Sequence, residues 1–169
     1  MIVISDTTPI ISLLKAGHLE LLEKLYGNVL VPNAVYYELT ENPAYPDEAE
    51  IIKKVRFLSV TEVENIKSVN VLRSVTGLDE GESEALIMYD EQNADLLLMD
   101  ERKGRRVAKQ LKAEYIGTAG ILMLAYDKGY IGQADVKICL DTMISNNIRL
   151  GKKICNTVMA HVGLKEVYW

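Results

Sequence analysis

Short apolar runs alternate with amphipathic segments along the chain. The runs rich in Val, Ile and Leu predict strands over residues 2–5, 28–31, 57–60, 96–99 and 115–116. Segments with apolar residues on one helical face predict helices over 8–17, 19–25, 32–41, 48–54, 64–74, 82–93, 102–112, 119–128, 134–145 and 151–161. Thr8 is a candidate cap of the first helix, with Pro9 at its first position.

This alternation favours an α/β fold, with a central parallel sheet covered by helices on both faces. The length of 169 residues fits one domain, and the 49% apolar content is enough to bury a core. We therefore expect a single domain over residues 1–169, with a C-terminal helical extension from about residue 134.

Charge and cysteine content narrow the class of protein. Acids outnumber bases by 24 to 19, and a net charge of −5 argues against a uniformly basic nucleic-acid-coating surface, although a local basic patch is compatible with it. The two cysteines have no partner at metal-ligand spacing. No signal-peptide pattern and no apolar run of about 20 residues is present. We expect a cytoplasmic protein without membrane segments.

Four acids occupy positions where an open α/β sheet places its site. Asp6 directly follows the first predicted strand, and Asp100 directly follows the run 96–99. Glu38 lies in the helix after the second strand, and Glu82 lies near the start of the helix before Asp100. Because ligands bind beyond the carboxyl ends of parallel strands, these carboxylates can converge there.

Clustered carboxylates repel one another unless they take up protons or bind a cation. Hard oxygen ligands without His or Cys suit Mg²⁺ or Mn²⁺. Such an ion can activate water and neutralise charge on a phosphodiester. The residues alone leave a plainer alternative open: Asp6 forms an Asx-turn onto the Thr8 amide, and the helical glutamates are solvated.

Five motifs, in order, resemble the PIN-domain family, specifically its DUF3368 branch. They are ISDTTPIISL (4–13), VPNAVYYEL (31–39), LDEGESEAL (78–86), MDERKGRRVA (99–108), and the closing pair GTAGIL (117–122) and KGYI (128–131). The resemblance covers most of the chain. It implies a three-layer α/β/α fold and a metal-dependent nuclease for single-stranded RNA, frequently a VapC-like ribonuclease toxin.

Carried over by position, the family's acidic quartet falls on Asp6, Glu38, Glu82 and Asp100. In the third motif, Asp79 and Glu84 lie within a turn of Glu82, so either is an alternative site residue. Glu101 replaces the aspartate often found after the fourth motif's first acid. Glu101 is therefore either an outer metal ligand or a solvated residue at a helix start.

Polar and basic neighbours are candidates for substrate binding. Thr7 matches the family's polar position, and it either holds water or phosphate or bonds the local backbone. Arg102 and Lys103 follow Asp100 and are candidate contacts for an RNA backbone. The resemblance further implies RNA as substrate, Mg²⁺ or Mn²⁺ as cofactor, a small antitoxin protein as candidate partner, and a homodimer.

Apolar residues in the C-terminal extension bear on the homodimer. Ile144, Ile148, Ile154, Val158 and Val162 either form a dimer surface or pack on the sheet. A catalytically silent PIN scaffold that binds RNA or protein is the rival to a ribonuclease. A phospho-receiver domain is weaker, because no lysine stands at the end of the strand at Tyr115-Ile116.

Overall fold

The computed structural model describes residues 1–165, and its five-stranded sheet is parallel throughout. The spatial order of the strands is β3-β2-β1-β4-β5. Each predicted strand is present to within one residue at either end. The strands are β1 (Val3–Ser5), β2 (Val29–Pro32), β3 (Leu58–Thr61), β4 (Leu96–Leu98) and β5 (Tyr115–Ile116).

Helices connect and follow the strands, as the sequence pattern predicts. They are α1 (Thr7–Lys15), α2 (Leu21–Tyr26), α3 (Asn33–Glu41), α4 (Pro46–Ile52), α5 (Ile66–Thr76), α6 (Glu80–Glu91), α7 (Arg102–Gln110), α8 (Thr118–Asp127), α9 (Gln133–Ser145) and α10 (Lys152–His161).

The predicted helix boundaries differ from the structure by at most two residues, at both starts and ends. Thr8 is not the cap of α1, because Asp6 already occupies the N-cap position in extended backbone and Thr7 begins the helix. Helix α4 begins at Pro46 rather than at residue 48, since proline's fixed φ suits the first helical position.

Successive residues of a strand point to opposite faces of the sheet, and their side chains are buried in two separate cores, one on each face. Val3 and Leu98 are buried in a core that contains residues of α1, α2, α3, α8, α9 and α10. Ile4 and Leu97 are buried in the other core, with residues of α5, α6 and α7. Helices therefore cover both faces, and the three-layer α/β/α fold is confirmed.

The C-terminal helices mainly complete the first core. Val158 and Val162 are buried there, and Ile144 and Ile148 pack against it. Ile154 remains 40% exposed. The structure thus favours ordinary packing for most of this apolar surface. No helix within residues 1–165 is long and apolar enough to cross a membrane.

Candidate active site

The strand order creates a crevice between the ends of β1 and β4. From β1 the chain moves outward to β2 and β3, whereas β4 and β5 extend the sheet on the other side. Ser5 pairs with Leu98, and the Asp6 amide donates to the Leu98 carbonyl at 3.0 Å. Ligands of open α/β sheets bind where the strand order reverses in this way. Asp6 and Asp100 lie at that place.

Asp6 is the most deeply buried acid of the crevice, with 4% of its surface exposed. Its side chain makes no capping hydrogen bond to α1, which argues against a purely structural role as a helix cap. Burial raises the pKa of Asp6 well above its ordinary value of 3.8, and the Thr7 amide opposes that rise. The carboxylates of Asp79, Glu82 and Glu38 raise the pKa further.

Glu38 is held beside Asp6 by the residue that follows Asp6. The Thr7 hydroxyl donates to Oε2 of Glu38 at 2.8 Å, and Thr7 itself is buried. This bond joins the start of α1 to the second turn of α3. Thr7 therefore positions an acid of the site, a role that the sequence did not reveal.

Glu82 belongs to a reciprocal capping box with Asp79. Oδ1 of Asp79 accepts from the Glu82 amide at 2.8 Å, and the Asp79 amide donates to Oε2 of Glu82 at 3.0 Å. The Asp-x-x-Glu pattern at residues 79–82 indicates a helix that begins directly after Asp79, whereas the predicted helix begins at residue 82. The capping box explains why α6 begins at Glu80 rather than at residue 82.

The capped carboxylate of Glu82 still faces other acids. Burial raises the pKa of Glu82, and the hydrogen bond from the Asp79 amide opposes that rise. The carboxylates of Asp79 and Glu101 raise that pKa, and Lys103 lowers it. Glu82 therefore combines a structural bond with a position in the acidic cluster.

Glu84 has a different neighbourhood. Its Oε2 accepts from the Ala34 amide at 2.9 Å and so caps the first turn of α3, where the N-cap residue Pro32 provides no side-chain hydrogen bond. Burial raises the pKa of Glu84, and the Ala34 amide opposes that rise. Among charged side chains, Glu80 raises this pKa and Arg73 lowers it. Of the three acids in this motif, the structure brings Asp79 and Glu82 to Asp6 and directs Glu84 to α3.

Asp100 is fixed by the N-terminus of α8. The Thr118 amide donates to Oδ1 at 2.8 Å, and the Thr118 hydroxyl donates to Oδ2 at 2.6 Å. Burial raises the pKa of Asp100, whereas Thr118 and Arg105 lower it. A Cβ on Gly117 would lie 2.7 Å from Oδ1, so this approach requires glycine. Thr118 lies just beyond the end of β5, with Gly117 between them, and the strand-end rule that identified Asp6 could have identified it.

A cavity of about 420 Å³ opens above the crevice. Its wall includes both predicted residues and residues that the sequence did not single out. Predicted members are Thr7, Glu38, Asp100, Glu101 and Arg102; unpredicted members include Lys15, Asn146, Asn147 and Arg149.

Lys103 lies outside this cavity. Its ammonium group donates to the Gly77 carbonyl at 3.2 Å and lies near Glu82. The structure therefore places Arg102 where it could reach a substrate at the cavity, and assigns Lys103 a contact with the loop before α6.

The donor set suits a hard divalent cation. The side chains that influence Asp6 are all carboxylates, and no lysine or arginine within residues 1–165 forms an ion pair with Asp6. Oxygen ligands of this kind match Mg²⁺ or Mn²⁺. The match is one of chemistry, because no three Asp, Glu, His or Cys residues of the described chain are already arranged as a metal-binding group.

Comparison with known proteins agrees with this geometry. A family model described as PIN domain, DUF3368, matches residues 2–164 of the 169. None of the curated proteins matches the chain. The matched range includes all four predicted acids and both sheet faces. PIN domains are generally nucleases, which supports a hydrolase acting on nucleic acid. The chain belongs to the PIN-domain family.

Proposed function

We propose that the protein is an endoribonuclease that uses Mg²⁺ or Mn²⁺ to cleave single-stranded or structured RNA. The observation that carries this proposal is Asp6, a buried carboxylate among other carboxylates without a cationic partner in residues 1–165. A fold gains no stability from such repulsion, whereas a cation bound there would offset it.

The carboxylates of Asp6, Glu38, Glu82 and Asp100 would hold the ion, with Glu101 as an outer ligand. The ion would lower the pKa of an attacking water and neutralise charge on the phosphodiester. Thr7 positions Glu38, and Thr118 positions Asp100. Arg102 at the cavity wall would attract the RNA backbone.

A biological setting is part of the proposal and rests on the family alone. The protein would act as the toxin of a toxin–antitoxin pair, inhibited by a small antitoxin protein, and would form a homodimer in the cytoplasm. A finding that the protein slows growth only when expressed without a neighbouring gene product would support this setting.

A catalytically silent scaffold that binds RNA or protein is the second candidate. Hydrogen bonds of two site acids favour it, because Glu82 is engaged in its capping box and both oxygens of Asp100 are bonded to Thr118. The described residues also lack a ready-made group of three metal ligands.

Incubation with RNA separates the two candidates. The full chain should cleave unstructured RNA in the presence of Mg²⁺ or Mn²⁺, and a chelator should abolish cleavage. Binding of RNA without cleavage in either metal would favour the scaffold.

A further inference from the structure

A second cavity adjoins the acidic crevice. It encloses about 350 Å³ between α7, β5, α8 and α10. Asp100, Arg149 and Leu150 border both this cavity and the larger one above the crevice. A polymeric ligand that passes Asp100 in the first cavity can therefore place its next monomer in the second cavity.

The walls of the second cavity combine apolar surface with an aromatic ring. Ile116, Met123 and Ile154 supply apolar contacts. Gly120 lets the Ile116 side chain pack closely, since a Cβ there would lie 2.5 Å from Cγ1 of Ile116. The Arg105 guanidinium lies over the Tyr115 ring, 5.2 Å from its centroid. Flat, apolar and π-rich surfaces of this kind are the ones on which nucleobases stack.

Three cations border the same cavity: Arg105, Arg149 and Lys153. None of them forms an ion pair with an acid of residues 1–165. Nε of Arg105 is buried and lacks a hydrogen-bond partner within the described chain. A buried donor without a partner is unfavourable, so a bound acceptor would satisfy it.

The volume of the second cavity and the charges around it indicate which kind of ligand fits there. About 350 Å³ is near the lower end of the roughly 300–1,000 Å³ typical of small-molecule sites, and it suits one nucleoside rather than a folded peptide. Cations near the rim suit a phosphate, and the apolar interior suits a base. A peptide of acidic character would leave the apolar interior unused.

We propose that this cavity, formed by Tyr115, Ile116, Met123, Arg149 and Ile154, binds the base of the nucleotide next to the scissile phosphate of single-stranded RNA. Arg149 and Lys153 would contact the phosphate of that nucleotide. The inference rests on the proposed ribonuclease function, since it names the subsite of the same substrate.

RNA binding in a chelator tests the subsite without requiring cleavage. Single-stranded hexa-adenylate, hexacytidylate and hexauridylate are titrated against the full chain and against Ile154→Trp, in which the larger ring fills the cavity. Ile138→Trp is the matched control, because Ile138 is 57% exposed on α9 and borders neither cavity. Arg149→Ala is compared with Arg56→Ala, an exposed arginine outside both cavities.

Ile154→Trp should weaken binding of the best hexamer by about tenfold, the scale of one lost stacking interaction. Ile138→Trp should bind within about twofold of the wild type on that scale. Arg149→Ala should bind more weakly than Arg56→Ala. Binding by Ile154→Trp that equals or exceeds binding by Ile138→Trp would overturn the proposal.

A crosslinking measurement on the wild type keeps the test valid if Ile154→Trp does not fold. A hexamer that contains 4-thiouridine is irradiated with the protein, and the crosslinked peptides are identified by mass spectrometry. Peptides that contain Tyr115, Met123 or Ile154 support the subsite, and crosslinks confined to other peptides contradict it. Cleavage of the same hexamers with Mg²⁺ or Mn²⁺ is measured separately. If the hexamers bind and crosslink as expected but are not cleaved, the proposed ribonuclease function is contradicted and the subsite is not.

Discussion

Thr118 binds both carboxylate oxygens of Asp100, through its amide at 2.8 Å and its hydroxyl at 2.6 Å. The bond joins the ends of two neighbouring strands, because Asp100 follows β4 and Thr118 follows β5. Asp100 is consequently held in one orientation before any ligand arrives. Preorganised side chains of this kind avoid the cost of reorienting during catalysis.

Thr118→Val should destabilise the fold and impair cleavage. The valine retains the shape and the backbone amide but loses the hydroxyl, and a hydrogen bond to a charged group contributes about 1.5–3 kcal/mol. Since the hydroxyl lowers the pKa of Asp100, its loss should raise that pKa. Urea unfolding and RNA cleavage measure the two effects.

Thr118→Ser is the control for that substitution, because it retains the hydroxyl. It should lie much closer to the wild type than Thr118→Val in both measurements. Equal effects of serine and valine would mean that Thr118 acts through packing of its methyl group.

Substitutions of the three acids around the start of α6, Asp79, Glu82 and Glu84, should differ in their effects on RNA cleavage and on stability. Glu82→Gln should lower cleavage strongly, by on the order of 10²-fold if it removes an ion ligand. Glu84→Gln should leave cleavage near the wild-type level, because Glu84 accepts from the Ala34 amide at α3 and the glutamine carbonyl can keep that bond. Asp79→Asn should change stability little, since asparagine is also a good N-cap. A Glu84→Gln variant that is stable but inactive would reverse the assignment of Glu82 and Glu84.

The stability of the metal-free protein should increase as the pH falls. The pKa of Asp6 in the folded state is raised above its ordinary value of 3.8, so the folded state binds more protons than the unfolded state between these two values. The destabilisation by Asp6 is therefore complete above the raised pKa and is lost as the pH approaches 3.8.

Asp6→Asn isolates this contribution. In a chelator the variant should be more stable than the wild type at neutral pH, and the difference should shrink as the pH falls. Chemical unfolding of both proteins at several pH values gives the difference directly. A difference that does not change with pH would show that the charge of Asp6 does not destabilise the fold.

Divalent metal should stabilise the wild type in proportion to the logarithm of its concentration. A ligand that binds only the folded state at about 100 times its Kd adds about 2.7 kcal/mol. For a chain of this size, each kcal/mol of added stability raises the Tm by roughly 2–4 °C. Asp100→Asn should show a much smaller shift, and thermal melts with Mg²⁺, Mn²⁺ and chelator measure it.

The parts of the site that lie at strand ends can be predicted from the sequence. Asp6 and Asp100 follow β1 and β4, and a parallel sheet brings such residues to one edge. Thr118, just beyond the end of β5, reaches the same edge for the same reason. The Asp79–Glu82 capping box was also visible, as an Asp-x-x-Glu pattern after a helix-breaking segment.

Other features depend on packing between distant segments, which no local pattern encodes. Lys15 and Arg149 reach the crevice from α1 and from the loop between α9 and α10. The bond from Thr7 to Glu38 joins residues 31 positions apart. The side on which Glu84 lies follows from how α6 packs beside α3, and the sequence alone left that choice open.

The central claim is that Asp6 helps to hold a catalytic divalent ion. Cleavage of unstructured RNA by wild type, Asp6→Asn and Asp90→Asn across a series of Mg²⁺ and Mn²⁺ concentrations tests it most directly. Asp90 is an exposed acid on α6 outside both cavities, so its variant controls for loss of charge. The account predicts chelator-sensitive cleavage by wild type and Asp90→Asn, and a loss on the order of 10²-fold or more in folded Asp6→Asn. Undiminished, chelator-sensitive cleavage by Asp6→Asn would contradict it.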